Sequence, residues 1–207
     1  MNHYQFIGIG LLGMCMAAGC VGKGERIDLN VPVASGAGEK AVAMSSPTVA
    51  IQPFEDHRTD RSHLGIRHHL WGGESQFSLS SGTLSEATAE AFVNYLKGKG
   101  WNATVAKGDR TTGADMTITG TLIDVGVDAT SGIGQTALHA KSRMTVEVQN
   151  HTDGSHVRET LTSSGTNQVF WFDSEDAQDL LNELYNKNFE KFVADTKING
   201  TILKLRK

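Results

Sequence analysis

The chain has 207 residues, 39% of them hydrophobic and 20% charged, and carries a formal net charge of -4. That length suits one core plus a short appendage, and the composition is that of an ordinary folded body. A net negative charge speaks against a polyanion as the main partner, so nucleic acid is set aside.

At the amino terminus, Phe6 to Ala18 is an unbroken apolar run, FIGIGLLGMCMAA, and no Lys, Arg, Asp or Glu occurs before Lys23. A run of this kind is the hydrophobic stretch of a secretory signal; it falls short of the roughly 20 apolar residues a membrane-spanning helix needs. The only two cysteines, Cys15 and Cys20, both lie here. Cys20 follows Ala17, Ala18 and Gly19, which resembles the bacterial lipobox: small residues fit the signal peptidase and the thiol is acylated. Met14 is too bulky for the same slot before Cys15. Residues 1–19 are therefore expected to be removed as signal, leaving a covalent diacylglycerol and an N-acyl chain on Cys20 and no other cofactor. Each buried methylene contributes about 0.8 kcal/mol, and several chains hold a protein where one would not. Val21 rather than Asp follows the cysteine, which favours the outer membrane, periplasmic face. The mature chain, with Cys20 its sole cysteine, forms no disulfide of its own.

Residues 20–46 read as a Gly-, Ala- and Ser-rich tether. Ile27, Leu29, Val31 and Val33 alternate within it, and Pro32 limits any strand there to a sheet edge. Residues 47–207 read as one periplasmic domain. A strand is expected across Pro47 to Phe54, a polar loop from Glu55 to Ser62, a strand around Leu64 to Trp71, and a turn at Gly72 and Gly73. Thr83 and Glu86 match a capping box, ahead of a helix stopped by Gly98 and Gly100. A short strand follows from Trp101 to Val105. Asp115 to Val127 alternates on one parity and then changes register around Ile123, Val125 and Val127, which predicts a bulge or twist near Gly120. Leu138 to Val148 alternates again, Asp153-Gly154 supplies a hairpin turn, and the return strand runs from His156 to Thr166. Asp173 or Ser174 caps a last helix whose Ala177, Leu180, Leu181, Leu184, Asn188 and Phe192 form a stripe of period 3.6. The expected fold is α+β: an antiparallel sheet of four to six strands with two helices packed on one face.

Several local features, taken in order, resemble the YajG-type family of bacterial outer-membrane lipoproteins. They are Cys20, the segment IDLNVP, the loop residues Asp56, Arg58, Thr59 and Asp60, the helix end Lys99-Gly100-Trp101, and the alternating ADMTITGTLIDVGVDAT. The resemblance implies a small periplasm-facing lipoprotein of no assigned molecular role.

Other motifs weigh less. Gly8, Gly10 and Gly13 satisfy a dinucleotide-binding pattern but lie inside the signal, after no strand. His57, His63, His68 and His69 with Asp56 and Asp60 could suggest a metal. Adjacent strand residues point to opposite faces, however, and Arg58 and Arg61 repel a cation, so no metal is expected. Asp56, Arg58 and Asp60 read as a local network fixing the turn, or else as a partner-binding loop. Asp124 and Asp128 could pair as carboxylates, but no catalytic signature accompanies them. Val169-Phe170-Trp171-Phe172 reads as core packing of the last helix, with an exposed patch for lipid or a partner as the alternative. The expected function is a non-enzymatic accessory or binding module, bound to the membrane by its anchor and to an envelope protein partner. A component of a lipid or lipopolysaccharide transport machine is the second reading.

Overall fold

A computed structural model describes residues 23–30, 46–106 and 113–206. The signal segment, Cys15, Cys20 and most of the tether lie outside the described residues. Lys23–Leu29, assigned above to the tether, forms strand β1. After it come β2 (Thr48–Ile51), β3 (Glu55–Asp56), β4 (Gly65–His68), β5 (Glu74–Leu79), α1 (Leu84–Gly98) and β6 (Asn102–Val105). Three long strands follow, β7 (Met116–Gly132), β8 (Gln135–Asn150) and β9 (His156–Val169), then α2 (Ser174–Asp195) and a closing hairpin of β10 (Thr196–Asn199) and β11 (Ile202–Leu205).

The α+β class agrees with the sequence, but the sheet does not match the four to six antiparallel strands expected. Strands β1 to β9 form one mixed sheet of nine among the described residues. The β7–β8–β9 meander is antiparallel, as hairpin turns require. The opposite edge of β7 is tiled in parallel by β2, then β3, then β4. β2 also pairs in parallel with β6, and β1 with β5. Parallel neighbours come from distant segments joined by crossovers such as α1, and hairpin signals are blind to them.

The expected register change in β7 is a bulge between Leu122 and Asp124, at Ile123 and a few residues past Gly120. One extra residue there flips the buried parity, from Met116, Ile118 and Leu122 to Val125, Val127 and Ala129. Gly120 has a different task. A Cβ on it would lie 2.2 Å from the Phe54 ring, so glycine there lets the ring lie against the sheet.

Both helices cover one face, and their caps are as expected. In α1, Thr83 Oγ1 accepts from Glu86 N while Glu86 Oε2 accepts from Thr83 N. In α2, Asp173 Oδ1 accepts from Glu175 N while Asp176 Oδ2 accepts from Asp173 N. Between the helices Phe92 stacks on Phe189 with centroids 4.5 Å apart and meets Phe54 and Phe192 edge-on. Full burial of each such side chain contributes about 1.5–3 kcal/mol. Two polar links pin α2 inside this apolar layer. Asn188 Nδ2 donates to the Ser142 carbonyl and hydroxyl on β8, and the Tyr185 hydroxyl bonds Thr88 of α1 at 3.0 Å. Burial pushes the Tyr185 phenol pKa up to about 12, the Thr88 bond opposing it.

Candidate functional site

The loop after β3 is held from beneath. Arg58, only 8% exposed, donates from Nε and Nη2 to the two carboxylate oxygens of Asp56, each at 3.0 Å. Its Nη1 donates to the carbonyls of His63 and Val125, at 2.9 and 3.3 Å. This forked geometry ties the loop to β7. Burial alone would lift the Asp56 carboxyl, but the hydrogen bonds and charge of Arg58 outweigh it and hold the pKa below the ordinary value. Asp60 faces outward and closes a local turn by accepting from Ser62 N and Oγ, bonds that lower its own pKa. Asp56 and Arg58 are thus brought together in a clamp, while Asp60 serves the neighbouring turn with Ser62 and His63.

The histidines disperse. His57 meets Glu55, His63 meets Asp60, His68 meets Glu74, and His69 bonds the buried Ser75 hydroxyl. Among the described residues no group of three or more His, Cys, Asp or Glu side chains is placed to hold a metal ion. Asp124 pairs with Lys141, while Asp128 Oδ1 accepts from Ile66 N, so these two carboxylates serve different partners. A cavity of about 370 Å³ beside the loop is lined in part by Arg26, Arg58 and Arg61. Arg26 is engaged by Asp28 and the Leu79 carbonyl, and Arg61 by the Asp56 carbonyl.

The most distinctive surface lies at one end of the sheet. There the β4–β5 turn presents Leu70 and Trp71, the β7–β8 turn presents Ile133, and the connection from β9 to α2 presents Phe170 and Trp171. Trp71 is 87% exposed, Ile133 88%, Trp171 81% and Phe170 67%. Strand register brings the three together: His68 of β4 stands beside Thr130 of β7, and Val169 of β9 beside Thr136 of β8. All line one open cleft of about 500 Å³. Phe170 and Trp171 meet edge-on at 5.1 Å, and the Phe170 ring lies over Gly134.

The core reading of Val169 to Phe172 therefore holds for only part of the segment. Phe172 packs on the buried Phe77 at 5.9 Å, with the Arg67 guanidinium 4.0 Å above its ring. Burial lowers the Arg67 pKa, Glu25 opposing, and its Nε and Nη2 both reach Ser131 Oγ. Phe170 and Trp171 point away from the core. Leu70, Trp71 and Ile133 were not singled out from sequence, where each is an isolated apolar residue in a polar or Gly-rich turn.

No protein-family model matches the chain, and no curated protein matches it, so the YajG-type resemblance rests on the residues named above. Solved structures do resemble it. A Xanthomonas campestris protein of the family described as DUF330 is 11% identical over 83% of this chain and 92% of its own, with a TM-score of 0.49. Lipoprotein GNA1162 from Neisseria meningitidis is 12% identical over 72% of this chain and 99% of its own, at 0.38. The LpoB C-terminal domain from Salmonella enterica is 12% identical over 63% of this chain and 88% of its own, at 0.26. Such likeness concerns the arrangement of the chain and carries no activity across.

Proposed function

We propose that the chain is a lipoprotein of the bacterial outer membrane, anchored through acyl chains on Cys20, facing the periplasm and acting by binding rather than by catalysis. The observation that carries the anchor is the apolar run ending in Ala17-Ala18-Gly19-Cys20, followed only three residues later by the first strand of the body at Lys23. A cluster of exposed aromatic side chains on a folded body is a surface built to be covered, which supports binding as the work done. The proposed partners are the membrane, through the anchor, and an envelope protein.

The test is mass spectrometry of the protein extracted from membranes. Loss of residues 1–19 with acyl mass on Cys20 is the expected result, and Cys20→Ser should leave an unacylated chain. A native chain with an intact amino terminus, or one without acyl mass, overturns the anchor.

A further inference from the structure

Strand register fixes where a lipid on Cys20 leaves the body. β1 runs parallel to β5, with Lys23 opposite Glu74, so β1 begins where the β4–β5 turn ends. That turn, His69 to Gly73, carries Leu70 and Trp71. Three residues span at most about 11 Å, so Cys20 is confined to that distance from the β1 start. The same end of the sheet holds the β7–β8 turn and the end of β9. The anchor and the exposed Trp71, Ile133, Phe170 and Trp171 therefore emerge on one side of the molecule.

From this juxtaposition we propose that the apolar end is a second membrane contact: Leu70, Trp71, Ile133, Phe170 and Trp171 enter the interface of the bilayer that holds the acyl chains of Cys20. The proposal rests on the lipoprotein reading and deepens it by setting the orientation of the body. Three features favour a lipid surface over a second copy or a protein groove. The attachment point lies beside the cluster, so anchoring itself brings the cluster to lipid at high effective concentration. The segments His69 to Gly73, Ser131 to Gln135 and Val169 to Phe172 contain no Asp, Glu, Lys or Arg, and the one charged side chain lining the cleft, Arg67, is stacked on Phe172 and bonded to Ser131. The protruding side chains are tryptophan, phenylalanine, leucine and isoleucine on separate turns, a composition suited to the headgroup boundary. Strands of 14 to 17 residues then carry the opposite end up to roughly 50 Å from the membrane.

A chain of residues 20–207 made without the signal segment escapes acylation and keeps Cys20 as its one thiol, which can be coupled to a maleimide lipid in phosphatidylcholine vesicles. The vesicles carry bromine in the acyl chains, a short-range quencher of tryptophan. We expect the emission of Trp71 and Trp171 to shift to the blue and to be quenched, while a chain with Trp71→Phe and Trp171→Phe, retaining Trp101, shows little quenching. A Cys20→Ser, Asp153→Cys chain, tethered through the opposite end where Trp101 lies, should lose no more emission than the same tethered chain carrying Trp71→Phe and Trp171→Phe. Equal quenching in both tethering geometries, or emission unchanged on tethering, overturns the proposal. So does a lipid-free dimer whose aromatic emission is already shielded, which would assign the end to a second copy. Failure to find acyl mass on Cys20 in cells would instead defeat the lipoprotein reading and leave the vesicle result standing as a measurement of the surface.

Discussion

The turns at the two ends of the β7–β8–β9 meander close the same sheet with opposite chemistry. At the β8–β9 end the turn side chains of His151, Thr152, Asp153 and Ser155 each have a polar partner. Asp153 accepts from Ser155 N and Oγ, His151 Nε2 bonds Thr117, and Thr152 bonds Thr201 of the last hairpin. Asn150, fully buried, donates to the Leu203 carbonyl and accepts from Leu203 N. At the β7–β8 end, the neighbouring loops expose aromatic and aliphatic side chains instead. Closing a hairpin needs only a turn, as the polar end demonstrates, so the apolar end reflects what that surface meets and not a demand of the fold.

Substitutions can break that contrast. The largest effect is expected from Phe77→Ala, beneath the apolar end: it removes a fully buried ring packed on Phe172. It should cost about 3–5 kcal/mol in chemical denaturation. Asn150→Ala comes next, because it strands the buried N–H and C=O of Leu203, and about 2 kcal/mol is expected. Hydrogen exchange should also show the β10–β11 hairpin loosening before the rest. The smallest effect belongs to Trp71→Ser with Trp171→Ser, which should change stability by less than about 0.5 kcal/mol. A larger loss would mean that these rings hold the fold together, and the contrast between the ends would fail.

Local chemistry made several elements legible. Thr83 with Glu86 and Asp173 with Asp176 announce helix starts, and Asp153-Gly154 announces a hairpin, because each is a contact within a few residues. The change of parity along β7 was visible as a bulge, two or three residues away from where it falls. β5 was missed because only Phe77 in it is a large buried side chain, while the equally buried Ser75 reads as polar. β10 and β11 were missed behind a helix that seemed to end the fold; their seat on Asn150 is a contact across about fifty residues. In the Asp56 loop the residues were legible as a network, but the carbonyls of His63 and Val125 that complete the seat of Arg58 were not.

The proposed placement, through a signal segment and an acylated Cys20, rests on sequence alone, because peptidase and acylation chemistry act on a short linear motif. The helix stripes and long alternating strands also follow from sequence, since period and side-chain type act locally. Only the tertiary structure decided that the sheet is mixed and, among the described residues, built of nine strands, and that β1 begins beside the Trp71 turn. Only it gathered five apolar residues from three loops at the end where β1 begins. Parallel register and the meeting of distant turns depend on pairings across long stretches of chain, and no local pattern records them.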